Sequence, residues 1–161
     1  MNIACISDSH DNLNAVKSFL KEINEMKIKK VIHCGDIVAP FVIPIFKEYK
    51  ITLYAVYGNN DGERKGLKSK IAESGGYINP SPYIYEICGK RILVSHSLLF
   101  DAGVAFDIDI YCFGHTHQYV IDKKDDIVLI NPGELGGWLT GVSTYALLNL
   151  KDMNFEIKEL K

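Results

Sequence analysis

The chain begins with Met1-Asn2-Ile3-Ala4-Cys5-Ile6-Ser7-Asp8-Ser9-His10. Residues 3–6 form a short apolar run, which is typical of a buried strand. Asp8 and His10 follow directly, and the carboxyl end of a central strand is where open α/β sheets usually place their sites. Carboxylate and imidazole together suit a first-row divalent metal. A surface carboxylate beside a hydrogen-bonded histidine would give the same short pattern, so the later strand ends decide between the two interpretations.

The composition limits the classes of protein that the chain can belong to. Its 161 residues, 47% of them hydrophobic and 24% charged, predict one soluble globular domain over residues 1–161. A net charge of −2 gives no strong nucleic-acid footprint. No apolar run reaches the roughly 18 residues of a membrane span, and no basic leader precedes the first strand, so we expect a cytoplasmic protein. Four cysteines without a Cys-x-x-Cys pair predict free buried thiols: Cys5, Cys34, Cys88 and Cys112.

The order of the predicted elements indicates the fold class. The first half alternates strands at 3–6, 31–34 and 51–57 with helices after Asn12, after Pro40 and over 63–74. The second half is mostly strands, at 83–88, 91–95, 108–113, 119–122, 127–130, 142–150 and 155–160. It includes a hairpin turn at Gly89-Lys90 and one helix over 98–105. This pattern predicts an α/β (α+β) protein with two mixed sheets packed face to face and helices outside.

Seven metal-binding side chains lie at or just past the ends of apolar runs. Four of the five histidines are among them, and His33 is the exception. Seven nitrogen and oxygen ligands are too many for one tetrahedral zinc but enough for two metals if one carboxylate bridges them. The seven are Asp8, His10, Asp36, Asn59, His96, His115 and His117.

Two divalent ions could hold a bridging hydroxide and support in-line displacement at phosphorus. Two such ions, less the charges of Asp8 and Asp36, leave about two positive charges, or about one with the hydroxide. Such a site attracts phosphate and suits a singly charged diester, although a monoester would also bind.

The short sequence blocks that contain these ligands resemble those of a known family. The chain resembles the calcineurin-like metallophosphoesterase superfamily, and its size and Asn131-Pro132-Gly133 resemble the small single-domain phosphodiesterase branch. Five blocks in order are a specific signal. The resemblance implies a four-layer αββα sandwich. The blocks are Ser7-Asp8-Ser9-His10, Gly35-Asp36, Gly58-Asn59-Asn60-Asp61, His96 and Gly114-His115-Thr116-His117.

The resemblance also implies how two divalent metal ions would be held. Asp8, His10, Asp36 and His117 would bind one ion. Asp36, Asn59, His96 and His115 would bind the other, with Asp36 as the bridge. The ligand types favour Mn or Ni, with Fe, Co and Zn as alternatives. A homodimer or homotetramer is the oligomeric state that the resemblance suggests.

The sequence departs from the family pattern at two positions. Many members have a histidine after the ligating asparagine, where it contacts substrate and protonates the leaving oxygen, but this chain has Asn60. Asparagine donates a hydrogen bond to phosphate but cannot act as a general acid. We therefore expect Asp36 and Asn60 to be the catalytic residues, with slow turnover or a preference for leaving groups that need little protonation. The second departure is Ser97, where a glycine is usual, and it could narrow the pocket or move His96.

Four further residues have local explanations as well as functional ones. Arg64 and Asn12 are candidate substrate-binding residues, but an exposed arginine and a helix cap explain them as well. Asp61 is expected to contact and orient a ligating histidine without binding the metal itself. Trp138 could stack on a base or form a subunit contact, and simple packing is the favoured explanation.

These observations predict a dimetal phosphodiesterase that acts on a small or accessible phosphodiester, with hydroxide as nucleophile. Two alternatives stay open. One is a non-catalytic scaffold of the kind found as a metallophosphoesterase-fold subunit of the retromer complex. The other is a phosphomonoesterase.

Overall fold

The computed structural model describes residues 1–99, 107–124 and 126–161. Three α-helices and a short 3₁₀ helix at Pro40–Val42 lie in the described part of the chain. The helices are α1 (Leu13–Glu25), α2 (Ile43–Glu48) and α3 (Arg64–Glu73). The strands are β1 (Asn2–Ile6), β2 (Lys30–His33), β3 (Thr52–Val56), β4 (Tyr77–Asn79), β5 (Tyr83–Ile87), β6 (Lys90–Val94), β7 (Ile110–Cys112), β8 (Tyr119–Lys124), β9 (Ile127–Pro132), β10 (Thr144–Asn149) and β11 (Asn154–Glu159).

The strands form two mixed sheets. The six-stranded sheet has the order β11-β10-β1-β2-β3-β4, in which β1 to β4 are parallel and β10 is antiparallel to both of its neighbours. The five-stranded sheet has the order β5-β6-β7-β9-β8, with a parallel centre and antiparallel edges. The predicted fold class, two mixed sheets with helices outside, is therefore confirmed.

Strand β1 shows how the sequence makes the layers. Because neighbouring side chains point to opposite faces of a strand, Ile3 and Cys5 face the second sheet, whereas Ala4 and Ile6 face the helices. Both faces are buried, which explains why β1 is a continuous apolar run. Helix α1 covers the outer face with an apolar stripe that includes Phe19, and the Asn12 side chain caps its first turn by accepting from the Ala15 N–H.

The structure differs from the sequence predictions at several points. A three-residue strand, β4, was not predicted. The hairpin turn falls on Cys88 and Gly89, one residue earlier than predicted, because Ile87 pairs with Lys90. Both turn residues have positive φ, at 57° and 76°, as a type I′ turn requires.

Other predictions concern termini and exposure. Strand β8 continues to Lys124, into the stretch predicted as a turn, and β7 is shorter than predicted. The helix predicted over 98–105 extends into residues 100–106, which lie outside the described residues. Three of the four free cysteines are buried as predicted, but Cys88 is exposed because it lies in the turn. None of the helices in the described ranges has the length and apolar character needed to cross a membrane.

Candidate metal centre

The carboxyl ends of five strands carry the seven candidate ligands. Asp8 and His10 follow β1, Asp36 follows β2 and Asn59 follows β3. In the second sheet, His96 follows β6, and His115 and His117 follow β7. Backbone hydrogen bonds between β1 and β2 continue into the loops that follow them. The Asp8 N–H donates to the Gly35 carbonyl and the His10 N–H donates to the Asp36 carbonyl, both at 3.1 Å. Parallel pairing therefore brings these loops together at one edge.

Asp8, His10 and His117 form the first half of the centre. Asp8 Oδ1 lies 3.7 Å from His10 Nε2 and 3.6 Å from His117 Nε2. These three side chains could hold a metal ion between them. The His10 and His117 rings are stacked, with centroids 5.5 Å apart and planes 9° apart.

Asp36, Asn59, His96 and His115 form the second half. His96 Nε2 lies 2.8 Å from Asn59 Oδ1, 3.1 Å from His115 Nδ1 and 3.4 Å from Asp36 Oδ2. Asp36 Oδ2 also lies 3.7 Å from His10 Nε2, so this oxygen faces both halves. His96 reaches this position although Ser97 follows it. All seven predicted ligands are thus brought together, with Asp36 between the two halves.

Hydrogen bonds fix which ring nitrogen of two histidines faces the centre. His96 Nδ1 lies 3.0 Å from the Cys34 carbonyl oxygen. Because a carbonyl oxygen can only accept a hydrogen bond, Nδ1 carries the hydrogen and donates it in this bond. A neutral His96 ring then has a lone pair on Nε2, and this lone pair faces the oxygens of Asn59 and Asp36. His117 Nδ1 donates in the same way to Glu134 at 2.9 Å, which leaves its Nε2 lone pair facing Asp8. Acceptor atoms that converge in this way fit a bound cation.

Asp8 provides a second test of whether these residues fit a metal. The residue is fully buried, and in the described part of the chain its Oδ1 has no hydrogen-bond partner. A buried carboxylate oxygen without a partner is costly. Burial would raise the pKa of Asp8, but the contact with His10 and the His115 N–H outweigh it and lower the pKa, so the group is ionised. The same carboxylate and that of Asp36 raise the pKa of His10. A divalent cation would satisfy this excess of negative charge.

Asn60 also reaches the centre. Its backbone N–H donates to Asp36 Oδ1 at 2.8 Å, and its side-chain amide donates to Asp36 Oδ2 at 2.7 Å. The amide therefore lies against the carboxylate that faces both halves of the centre. A phosphoryl group bound there would be within reach of this donor.

The structure corrects the role expected for Asp61. This buried carboxylate accepts backbone N–H groups, from Asp36 at 3.1 Å, Val38 at 2.7 Å and Gly58 at 2.7 Å. Among the described residues it has no hydrogen bond to a histidine. Asp61 therefore holds the loops after β2 and β3 together, and positions Asp36 through its own N–H and Asn59 through the N–H of the preceding Gly58.

Arg64 and Asn12, the candidate substrate contacts, have local partners. The Arg64 guanidinium donates to the carbonyls of Asp61 and Gly58 and lies 5.1 Å from the centre of the Tyr57 ring. The Asn12 amide donates to the Gly136 carbonyl at 2.7 Å. In the described ranges neither side chain bonds to a member of the centre, so the structure favours loop and cap roles for both.

Glu134 is the functional residue that the sequence analysis missed. Its buried carboxylate accepts from His117 and from the backbone N–H groups of Trp138, Leu139 and Thr140, as well as the Thr140 hydroxyl. These donors outweigh burial and lower its pKa, so it is ionised. The only sequence signal was an acidic residue in a glycine-rich stretch after a strand.

The structure also overturns the packing explanation for Trp138. The residue is 63% exposed, although its backbone N–H and its indole N–H are both hydrogen-bonded. The backbone N–H donates to Glu134, and the indole Nε1–H donates to the His10 carbonyl at 3.3 Å. Trp138 is thus fixed at the rim of the centre and is not part of the core.

Backbone conformation around the centre is unusual. Five of the seven candidate ligands have φ between 40° and 69°, a region that side-chain-bearing residues adopt at a cost and that clusters at functional sites. Space is equally restricted, because a Cβ on Gly58 would lie 2.1 Å from Asp36 Oδ1. The five residues are Asp8, His10, Asp36, His115 and His117.

His33 supports the centre without belonging to it. Its Nδ1 accepts from the Gly35 N–H at 3.2 Å, so its Nε2–H donates to the Ser9 hydroxyl at 3.0 Å. Burial lowers its pKa to about 4. This neutral ring joins the two loops that carry Asp8 and Asp36.

Comparisons with known proteins agree with this geometry. A family model described as the calcineurin-like phosphoesterase superfamily domain matches residues 1–153. A phosphodiesterase of Methanocaldococcus jannaschii is 35% identical over 160 residues, which is 96% of either chain. A solved archaeal phosphodiesterase is similar in structure with a TM-score of 0.93 at 33% identity, covering 99% of this chain and 100% of that chain. The vacuolar protein sorting 29 of Cryptosporidium parvum has a TM-score of 0.69 at 18% identity, covering 98% and 95%, and shows likeness of fold alone.

Replacing Glu134 with Gln should weaken metal binding. The amide cannot accept from His117 and from the loop as the carboxylate does, and loss of such a supporting contact typically costs about 10–100-fold in metal affinity. Calorimetric titration of the metal-stripped protein with Mn²⁺ measures the change. Glu156→Gln, at an exposed position of β11, is the matched control. Unchanged affinity in a folded Glu134→Gln protein would contradict this role.

His33 should make folding pH-dependent. Its folded pKa of about 4 lies below the ordinary value of about 6.5, so protonation favours the unfolded chain. Its contribution to stability is present above pH 6.5 and is lost as the pH falls toward 4, at up to about 1.4 kcal/mol per pH unit. Denaturant titrations with a chelator present measure the free energy of unfolding at each pH. Between pH 6.5 and pH 4 this free energy should fall less steeply for His33→Asn than for the unmodified protein. Equal slopes for the two proteins would exclude His33 as the source.

Proposed function

This chain belongs to the calcineurin-like phosphoesterase superfamily, and from that premise we propose that it is a metal-dependent phosphodiesterase acting on a small or accessible phosphodiester. The observation that carries the proposal is the convergence of seven candidate ligand side chains around Asp8 and Asp36, with a buried Asp8 oxygen that has no hydrogen-bond partner among the described residues. The relative from Methanocaldococcus jannaschii, which is named a phosphodiesterase, supports the reaction class.

We propose two divalent ions for this centre. Asp8, His10, Asp36 and His117 would hold one, and Asp36, Asn59, His96 and His115 would hold the other. Imidazole with carboxylate ligands favours Mn or Ni, with Fe, Co and Zn as alternatives. When bound, the ions supply Lewis-acid stabilisation of the phosphoryl group and lower the pKa of the attacking water.

The chain's own residues perform the remaining tasks. Asp36 would neutralise part of the charge of two bound divalent ions, which would leave the centre suited to a singly charged diester. Asn60 is placed to donate a hydrogen bond to a phosphoryl oxygen, because its amide already reaches Asp36 at 2.7 Å. It has no proton to give to the leaving alcohol. Acidic alcohols should therefore be the preferred leaving groups.

Two alternatives are separated from this proposal by the experiments below. A non-catalytic scaffold should bind its partner whether or not Asp36 is intact, and a phosphomonoesterase should prefer a monoester. The complete ligand set favours an enzyme over a scaffold. A homodimer or homotetramer, a cytoplasmic location and one domain over residues 1–161 stay predictions from the sequence.

Replacing Asp36 with Asn should abolish metal-dependent hydrolysis. The variant keeps the shape of the side chain but removes the charge that faces both halves of the centre, and we expect kcat to fall by about 100-fold or more. The assay compares bis-p-nitrophenyl phosphate with p-nitrophenyl phosphate after metal stripping and addition of single metals. Asp109→Asn, a half-exposed carboxylate paired with Lys90, is the control.

Two results would count against the proposed enzyme. One is an Asp36→Asn protein as active as the unmodified one. The other is a folded, metal-bound protein that hydrolyses neither substrate with Mn, Ni, Co or Zn. Faster turnover of the monoester would change the assignment to phosphomonoesterase.

Replacing Asn60 with His should change the leaving-group preference. A general acid typically raises the reaction rate about 10²–10⁴-fold, and the rate gain is greatest for esters with poor leaving groups. The kcat/KM ratio of an alkyl ester to a p-nitrophenyl ester should rise, and the pH profile should gain an alkaline limb. Asn60→Gln, which keeps the amide, is the control. An unchanged ratio in the histidine variant would show that this position does not contact the leaving oxygen.

A further inference from the structure

A cavity of about 610 Å³ opens beside the metal centre. It lies between β8 and β11, the edge strands of the two sheets at the same end of the sandwich. Its wall on the side of the centre is His117, and Tyr119, Val142, Ile157 and Glu159 form much of the remainder. Ligand cavities are commonly about 300–1,000 Å³, so this one could hold a group of the size of a nucleoside.

His117 belongs to both the centre and the cavity. Its Nε2 faces Asp8 and its Nδ1 donates to Glu134, and the same residue lines the cavity. A phosphodiester has two ester groups on its phosphorus. With the phosphoryl group at the centre, one of these groups would lie along His117 toward the cavity.

The walls of the cavity favour an uncharged group. Among the described residues that line it there is no lysine or arginine, and Glu159 is the only carboxylate. A second phosphate in the cavity would meet that carboxylate with no lysine or arginine in the lining to compensate, which is unfavourable. A hydroxyl or amino donor would find an acceptor there.

The same walls offer contacts for a ring. The Tyr119 side chain is 62% exposed, and Val142 is 38% exposed. An aromatic face beside aliphatic side chains is suited to stacking and apolar contact with a ring.

From these features we propose that the cavity binds the ester group that stays on phosphorus when the other one leaves, and that the retained group derives from an uncharged, ring-bearing alcohol of nucleoside or aryl type. The inference rests on the proposed phosphodiesterase function. It goes further by assigning a subsite and by excluding diesters that carry another phosphate on that group.

Filling the cavity tests the assignment. Val142→Trp should raise KM about tenfold for the p-nitrophenyl ester of thymidine 5′-phosphate and for bis-p-nitrophenyl phosphate, because a ring can no longer enter. The KM for methyl p-nitrophenyl phosphate should change less than about twofold, since nitrophenolate is its leaving group and the methyl group that stays on phosphorus needs little space. Val120→Trp is the matched control, because Val120 is 40% exposed on β8 but does not line the cavity. Equal losses on all three substrates, or none, would overturn the proposal.

A binding measurement separates this inference from the proposed reaction. Thymidine titrated into the metal-loaded protein and followed by NMR should shift signals of cavity residues, and Val142→Trp should abolish the shifts. If no diester is hydrolysed but these shifts are seen, the proposed reaction fails and the cavity assignment is supported. If diesters are hydrolysed but thymidine causes no shift, the cavity assignment is wrong.

Charge reversal tests the selectivity. Glu159→Lys should raise about fivefold or more the ratio of kcat/KM for a thymidine diester that carries an additional 3′-phosphate to kcat/KM for the diester without it. Glu156→Lys, on the same strand but outside the cavity lining, is the control. A parallel change in both diesters, or an unmodified protein that prefers the phosphorylated one, would contradict the assignment.

Discussion

Two buried carboxylates, Asp8 and Asp36, are the constraint on which this structure depends. Parallel pairing of β1 and β2 brings them to one edge of the sheet, where both are almost completely removed from water. Like charges in such a place repel strongly unless cations or donors compensate. The histidines, the Asn60 amide and the backbone N–H of His115 supply part of that compensation. A bound cation would supply the rest, so the same feature that strains the fold makes it a metal site.

The supporting groups hold this arrangement by rigid, local means. Asp61 joins the loops after β2 and β3 through three N–H groups, and His33 joins the loops after β1 and β2. Left-handed backbone at most of the ligands costs free energy that these contacts must offset. The hydrophobic core also helps to offset this cost, because both faces of β1 are buried and the start of the first loop is thereby fixed.

Much of the fold and of the centre could be predicted because the signals are local in the sequence. Apolar runs that end in Asp, Asn or His mark both the strands and the seven ligand positions. Features that depend on distant contacts could not be predicted in this way. Glu134 is recognisable only once His117 and the loop at 138–140 surround it. Strand β4 has three residues and little pattern of its own, and it exists because it pairs with β3.

Trp138 illustrates the same limit from the opposite direction. Composition favours a buried tryptophan, but the indole N–H donates to the carbonyl of His10, which lies in another loop far along the chain, and the backbone N–H donates to Glu134 in the same loop. A rule about average burial cannot anticipate such contacts. Asp61 was expected to act on a side chain, and its actual backbone partners depend on how tightly two glycine-containing loops approach each other.

The contacts of Glu134 have a consequence for how relatives of this chain can diverge. One carboxylate orients a ligand of the centre and also anchors the loop that continues into the cavity wall at Val142. An insertion or deletion in that loop would therefore change the wall of the proposed substrate cavity and the support of His117 together. We expect relatives that differ in this loop to differ in substrate preference and in metal affinity at the same time.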